Sequence, residues 1–158
     1  MIQLRPGDLV SVRRGEAYFL FAILTRQILF GGHWSFVFHG STLTLPSTPE
    51  RLDGSGFNAT VDFIVPKRDG RVVRVTRGND FSSLRGPELL QQEPLRGEVN
   101  FKVWRWENNE RQRAEYVRFT SSPTPEERSA PHYACIAADF ACELAARGWR
   151  EHESMWRA

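Results

Sequence analysis

Residues 7–40 read GDLVSVRRGEAYFLFAILTRQILFGGHWSFVFHG, and this stretch decides the fold class. Branched and aromatic side chains come in short blocks: Leu9–Val12, Ala17–Leu24, Ile28–Phe30 and His33–Phe38. Arg14-Gly15-Glu16, Thr25–Gln27 and Gly31-Gly32 separate them. Crowded Cβ positions pack well on a pleated surface, so the blocks predict strands in an antiparallel meander that carries the early core. Side chains alternate along a strand. Phe19, Phe21 and Ile23 therefore share one face, and Tyr18, Leu20, Ala22 and Leu24 the other. Both faces are apolar, as in a central strand covered on both sides. The glycine boundaries favour this over a buried helix.

Downstream, prolines and glycines make Pro46–Asn58 a loop. Ala59–Val65 and Arg71–Arg77 predict a hairpin about Asp69-Gly70, with Val73 and Val75 inward. Pro87–Gln92 suits one or two helical turns, proline being tolerated in the first. Glu98–Glu107 and Glu110–Thr120 predict a second hairpin about Asn108-Asn109. Its core face takes Val99, Phe101, Val103, Ala114 and Tyr116, while Lys102, Trp104, Trp106, Arg113 and Glu115 sit opposite. A helix over 130–147 follows, capped by Ser129. Tyr133, Ile136, Ala137, Phe140, Ala141 and Leu144 form its apolar stripe, and Gly148 its C-terminal stop. The expectation is an α+β fold in one domain, residues 1–158, with a β-rich region 7–120. It is a strongly twisted antiparallel sheet, or a partly open small barrel, of about seven strands. The C-terminal helix packs on it.

Composition narrows the function classes. Hydrophobic residues make up 41% and charged residues 25%, an ordinary globular balance. The net charge of +2 gives no global reason to prefer nucleic acid, although 67–77 is locally basic and suits an acidic partner. The opening MIQLRPGD lacks a signal-peptide pattern, and no apolar run approaches the roughly 18 residues of a spanning helix. Cys135 and Cys142, read on one helix, lie about 10 Å apart along the axis, too far for a disulfide. Two reduced thiols fit a cytoplasmic protein without a membrane segment.

No pattern specifies chemistry. His33 and His39 are about 20 Å apart along an extended strand, so they do not share a metal. HExxH and cysteine-rich zinc spacings are absent, as are a nucleophile elbow and a phosphate-binding loop. The expectation is no catalytic residue, no metal and no cofactor. Phe 11 and Trp 5 are more rings than a small core easily seats, so some belong to a surface. Trp, Tyr and Arg concentrate interface energy. The candidate protein-contact residues are Trp34, Trp104, Arg105, Trp106, Arg113, Glu115 and Phe119. Two alternatives use other physics. The basic and aromatic hairpin 98–120 is able to stack nucleic-acid bases, and a small hydrolase would gather carboxylates, a histidine and Ser or Cys in a cleft.

Leu4-x-Pro6-Gly7-Asp8-Leu9-Val10, followed after a short turn by Tyr18–Leu24, resembles the start of small β-rich immunity proteins of bacterial polymorphic-toxin systems. Their shared features are a Gly-Asp-aliphatic strand, a glycine-bearing turn and an aromatic-rich strand. The likeness covers roughly the first 40 residues. It implies a cytoplasmic protein that binds a cognate toxin and blocks it without chemistry. It assigns no binding-site position.

Overall fold

Leu9–Arg14 (β1) and Ala17–Gln27 (β2) pair antiparallel around a turn in which Gly15 has φ 61°. The structure, a computed structural model, describes residues 1–28, 31–46, 55–106 and 113–156. His33–Phe38 (β3) pairs with β2, and Gly56–Asp62 (β4) with β3, so the opening meander forms, with Thr25–Gln27 continuing β2 where a turn was expected. Trp34 sits where the β2–β3 register shifts, between Ile23 and Gln27. Thr25 repairs the gap: its hydroxyl accepts the Trp34 N–H at 3.2 Å, and its carbonyl accepts His33 Nδ1–H at 3.0 Å.

The chain then departs from a second hairpin. Asp62 Oδ1 accepts the Ile64 N–H at 2.8 Å and opens a short helix, Ile64–Arg68 (α1), which seats Pro66 where a strand would need a donor. The return strand Val72–Thr76 (β5) pairs with β1, at the far edge from β4. The β1–β5 pairing skips Val75. Val72 packs on the α3 face and Val75 on the opposite one, whereas Val73, expected inward beside Val75, is exposed.

A 3₁₀ turn at Ser82–Leu84 leads to Leu89–Gln92 (β6), a strand where helical turns were expected. Leu90 is buried between Trp34 and Trp106, and Gln91 is buried beside it, so tertiary packing overrides helical composition. Phe101–Trp106 (β7) and Ala114–Thr120 (β8) complete a separate sheet in the order β6-β7-β8. Their pairing skips Val117. The connecting turn expected at Asn108-Asn109 lies outside the described residues, as do Leu29, Phe30 and residues 47–54 of the expected Pro46–Asn58 loop, whose last three residues belong instead to β4.

The helix expected over 130–147 is instead a short strand and a shorter helix, preceded by a separate helical turn. Pro125–Arg128 (α2) starts with a capping box: Thr124 Oγ1 accepts the Glu127 N–H at 3.2 Å, and Glu127 Oε1 accepts the Thr124 N–H at 2.9 Å. Ser129 closes α2 rather than opening a helix. Cys135–Ala137 (β9) adds to β4 in parallel, and Ala138–Ala146 (α3) is the helix proper. Tyr133 belongs to the opposite core face from Ile136 and Leu144, so no single stripe runs from 133 to 144. Gly148, at φ 66°, stops α3 as expected.

The outcome is a mixed α+β fold of two open sheets, not one sheet of about seven strands, and neither sheet closes into a barrel. The larger has the order β5-β1-β2-β3-β4-β9. One face, with Val10, Phe21, Ile23, Val37, Phe57 and Val61, packs on α3 and Trp149. The other, with Leu9, Ala22, Leu24, Trp34, Phe36 and Phe38, packs on Leu90 and Trp106 of the small sheet. β2 is therefore covered on both sides. Trp149 and Met155 are buried and fasten the tail, while Trp156 lies exposed and stacked on Phe140.

Candidate functional site

The seven expected contact residues separate into core and surface. Trp34 is fully buried, its indole N–H donating to the Arg85 carbonyl at 3.1 Å. Trp106 is buried against it, ring edge to face, with centroids 5.8 Å apart. Both rings join the two sheets and are out of a partner's reach. Trp104 is half-buried; it stacks on Tyr133 at 4.6 Å and donates to Gln92 Oε1 at 3.2 Å. Arg105, Arg113, Glu115 and Phe119 are exposed, and they lie on or beside β7 and β8. A base-stacking platform needs open ring faces; Trp106 is buried, and Trp104 already stacks on Tyr133.

What the structure leaves open is β8 itself. It is an edge strand, pairing among the described residues only with β7. Tyr116, Val117 and Phe119 are 46%, 43% and 52% exposed. The strand is nevertheless held in place. Arg118 forms a two-point ion pair with Glu127 of α2, at 2.7 and 2.8 Å. Burial opposes ionisation of Glu127, yet the Thr124 amide and Arg118 keep its carboxyl below the usual range. Tyr116 and Val117 were not among the expected contacts. The skipped Val117 hides this face from a simple alternation, so only the exposed-edge geometry reveals it.

No catalytic arrangement emerges among the described residues. The nearest approach is a knot under the tail. Ser154 Oγ and the Met155 N–H both donate to the Glu93 carboxylate at 2.6 Å. His132 Nδ1 lies 3.3 Å from the same carboxylate, and its Nε2–H donates to the Glu151 carbonyl at 2.8 Å. The carboxylate, not the imidazole, faces the serine, so the Ser–His pair of a catalytic triad is not formed here. The group ties β6 to the C-terminal tail. Among the described residues, no set of three or more His, Cys, Asp or Glu side chains is placed to hold a metal. No helix among them is long and apolar enough to cross a membrane.

The buried histidines give the fold a pH dependence. Burial lowers the pKa of His33, and likewise that of His132. Each imidazole binds its proton less readily folded than unfolded. Below about pH 6.5 the unfolded chain therefore takes up more protons, and stability falls until the lowered folded values are passed. Glu151 acts in the opposite sense, since burial raises its pKa and its contribution improves as pH drops toward the unfolded value. Asp139, lowered by its bond to Arg71, loses its contribution only at more acidic pH. Urea melts at pH 7 and pH 5 are expected to give a lower stability at pH 5, with a smaller difference in His33→Gln. An unchanged difference in that variant would remove His33 from this role.

Both cysteines are free thiols on different elements. Burial pushes Cys142 up to about 12, and Cys135, half-buried, is also raised. Neither is an activated nucleophile. A thiol-reactive disulfide reagent is expected to modify Cys135 slowly in the native chain and Cys142 only after denaturation. Rapid modification of Cys142 in the folded protein would contradict the packing of α3.

No family model, curated protein or solved structure matches this chain.

Proposed function

We propose that the chain is a non-catalytic protein-binding domain whose contact strand is β8. The observation that carries this reading is an ordered edge strand bearing the half-exposed Tyr116, Val117 and Phe119. An unpaired strand edge with apolar side chains is a template for an incoming strand. Main-chain hydrogen bonds then supply affinity, and the rings supply anchors. Arg105, Arg113 and Glu115 surround the strand with mixed charge, which fixes register and rejects unsuitable partners. Arg118 is held by Glu127, so little of the strand has to be ordered on binding.

The likeness of the first 40 residues to immunity proteins supports a narrower version, in which the partner is a cognate toxin and the action is occlusion. Occlusion needs no cofactor, and two free thiols suit the cytoplasm. The test is to co-purify the tagged chain from its native cells and identify retained proteins by quantitative mass spectrometry. A reproducible partner that contributes an extended segment is expected. Consistent failure to retain any protein would overturn the proposal.

A further inference from the structure

We propose a second binding site, independent of β8: a cleft between the N-terminal segment and the end of β5 that takes a small ligand bearing a phosphate group. A hollow of about 410 Å³ opens there, with Ile2, Arg5, Pro6, Asp8, Arg74 and Arg77 among its walls. That volume falls within the roughly 300–1,000 Å³ typical of small-molecule sites.

The walls are stitched together before any ligand arrives. The Gly7 N–H donates to the Ile23 carbonyl at 2.9 Å. The Gly7 carbonyl accepts both the Asn79 N–H at 3.0 Å and Asn79 Nδ2–H at 2.9 Å. Gly7 has φ 89°, and a Cβ there would come within 3.1 Å of the Asn79 carbonyl oxygen, so the two segments approach as closely as glycine permits. Asp8 is buried and holds the floor. Its Oδ2 accepts the Arg5 main-chain N–H at 2.9 Å and Arg74 Nε–H at 3.0 Å. Arg74 also donates to the Gln3 carbonyl.

This arrangement uses up the one carboxylate in the hollow on Arg74. Arg5 and Arg77 remain, both exposed, and neither guanidinium has a hydrogen bond or ion pair among the described residues. Two unpaired forks on a fixed frame match the several oxygens of a phosphate better than the two of a carboxylate. Ile2 and Pro6 offer an apolar wall for the rest of the ligand. Adjoining hollows that share Pro6, or Ile2 and Gln3, add Arg26, Arg85 and Lys67, with Asp80 as the opposing acid. The net field at this end draws anions in.

The experiment is calorimetric titration of the full chain at low ionic strength with inorganic pyrophosphate, adenosine monophosphate and citrate. Saturable binding of both phosphate probes is expected, tighter than that of citrate. Arg5→Gln/Arg77→Gln is expected to weaken it roughly tenfold or more, and Arg105→Gln, on β7, to leave it unchanged. No saturable phosphate binding would overturn the proposal. Citrate binding as tightly, or an equal loss in Arg105→Gln, would overturn it as well. Amide resonances of the unmodified chain provide a readout that does not depend on a variant folding. Pyrophosphate should shift those of Arg5, Gly7 and Gly78, and shifts confined to β8 would contradict the site.

Discussion

Trp34→Ala is expected to lower the stability of the chain by about 3–5 kcal/mol, the cost of truncating a buried aromatic ring. Its indole fills the junction between the two sheets, among Leu9, Leu24, Leu90 and Trp106. Alanine would leave a cavity there and remove the edge-to-face contact with Trp106. It would also leave the Arg85 carbonyl without the indole donor. The damage should be uneven. The larger sheet keeps its other apolar face on α3, whereas β6 and β7 lose the ring on which they rest. Urea unfolding gives the total, and hydrogen exchange gives its distribution, with β6 and β7 losing more protection than β1–β3. A loss below about 1 kcal/mol, the range of an unremarkable substitution, would mean that Trp34 does not join the sheets.

Tyr116→Ala/Phe119→Ala is expected to do the reverse: leave the fold nearly intact and remove partner binding. Both side chains are about half exposed, so their truncation costs little folding stability, roughly 0.5 kcal/mol each. At an interface, aromatic anchors of this kind cost about 2 kcal/mol or more apiece when truncated, so the pair should weaken binding by roughly a thousandfold. Calorimetry with the recovered partner measures the affinity, and thermal melts confirm the fold. Undiminished affinity in a folded double variant would place the contact elsewhere.

Trp34 and Tyr116 exchange the roles that sequence alone suggests, the first moving from contact to core and the second from core to surface, while Phe119 stays on the surface. The meander was legible because Leu9–Val12, Ala17–Leu24 and His33–Phe38 carry side chains that suit a pleated surface on either face. The same pattern shows that β2 is covered twice. It does not show what covers it, and that decides whether Trp34 is core or surface. A second sheet lies over Trp34, and that sheet depends on β6. Pro87–Gln92 has a helical composition, and only the space beside Trp34 and Trp106 makes it a strand. Local propensity loses to packing there.

Other features were present in the sequence as weaker signals. Thr124-Pro125-Glu126-Glu127 is a capping-box pattern, and it places a helix start before Ser129. Pro66, directly after the apparent strand Ala59–Val65, is compatible with the first turn of a helix as well as with a hairpin turn. The skipped Val75 and Val117 carry no such mark, because an unpaired residue in a strand looks like its neighbours. The exposed face of β8 was therefore not readable from alternation. The cleft between Arg5 and Arg77 joins residues distant in sequence through Asp8 and Asn79, contacts that exist only once the N-terminal segment lies against the end of β5.

Hydrogen–deuterium exchange of β8, free and in complex with the recovered partner, bears most directly on the binding claim. Amides of residues 114–120 that face away from β7 should exchange readily in the free chain and become strongly protected in the complex. Unchanged exchange across β8, with protection gained on another surface, would contradict it.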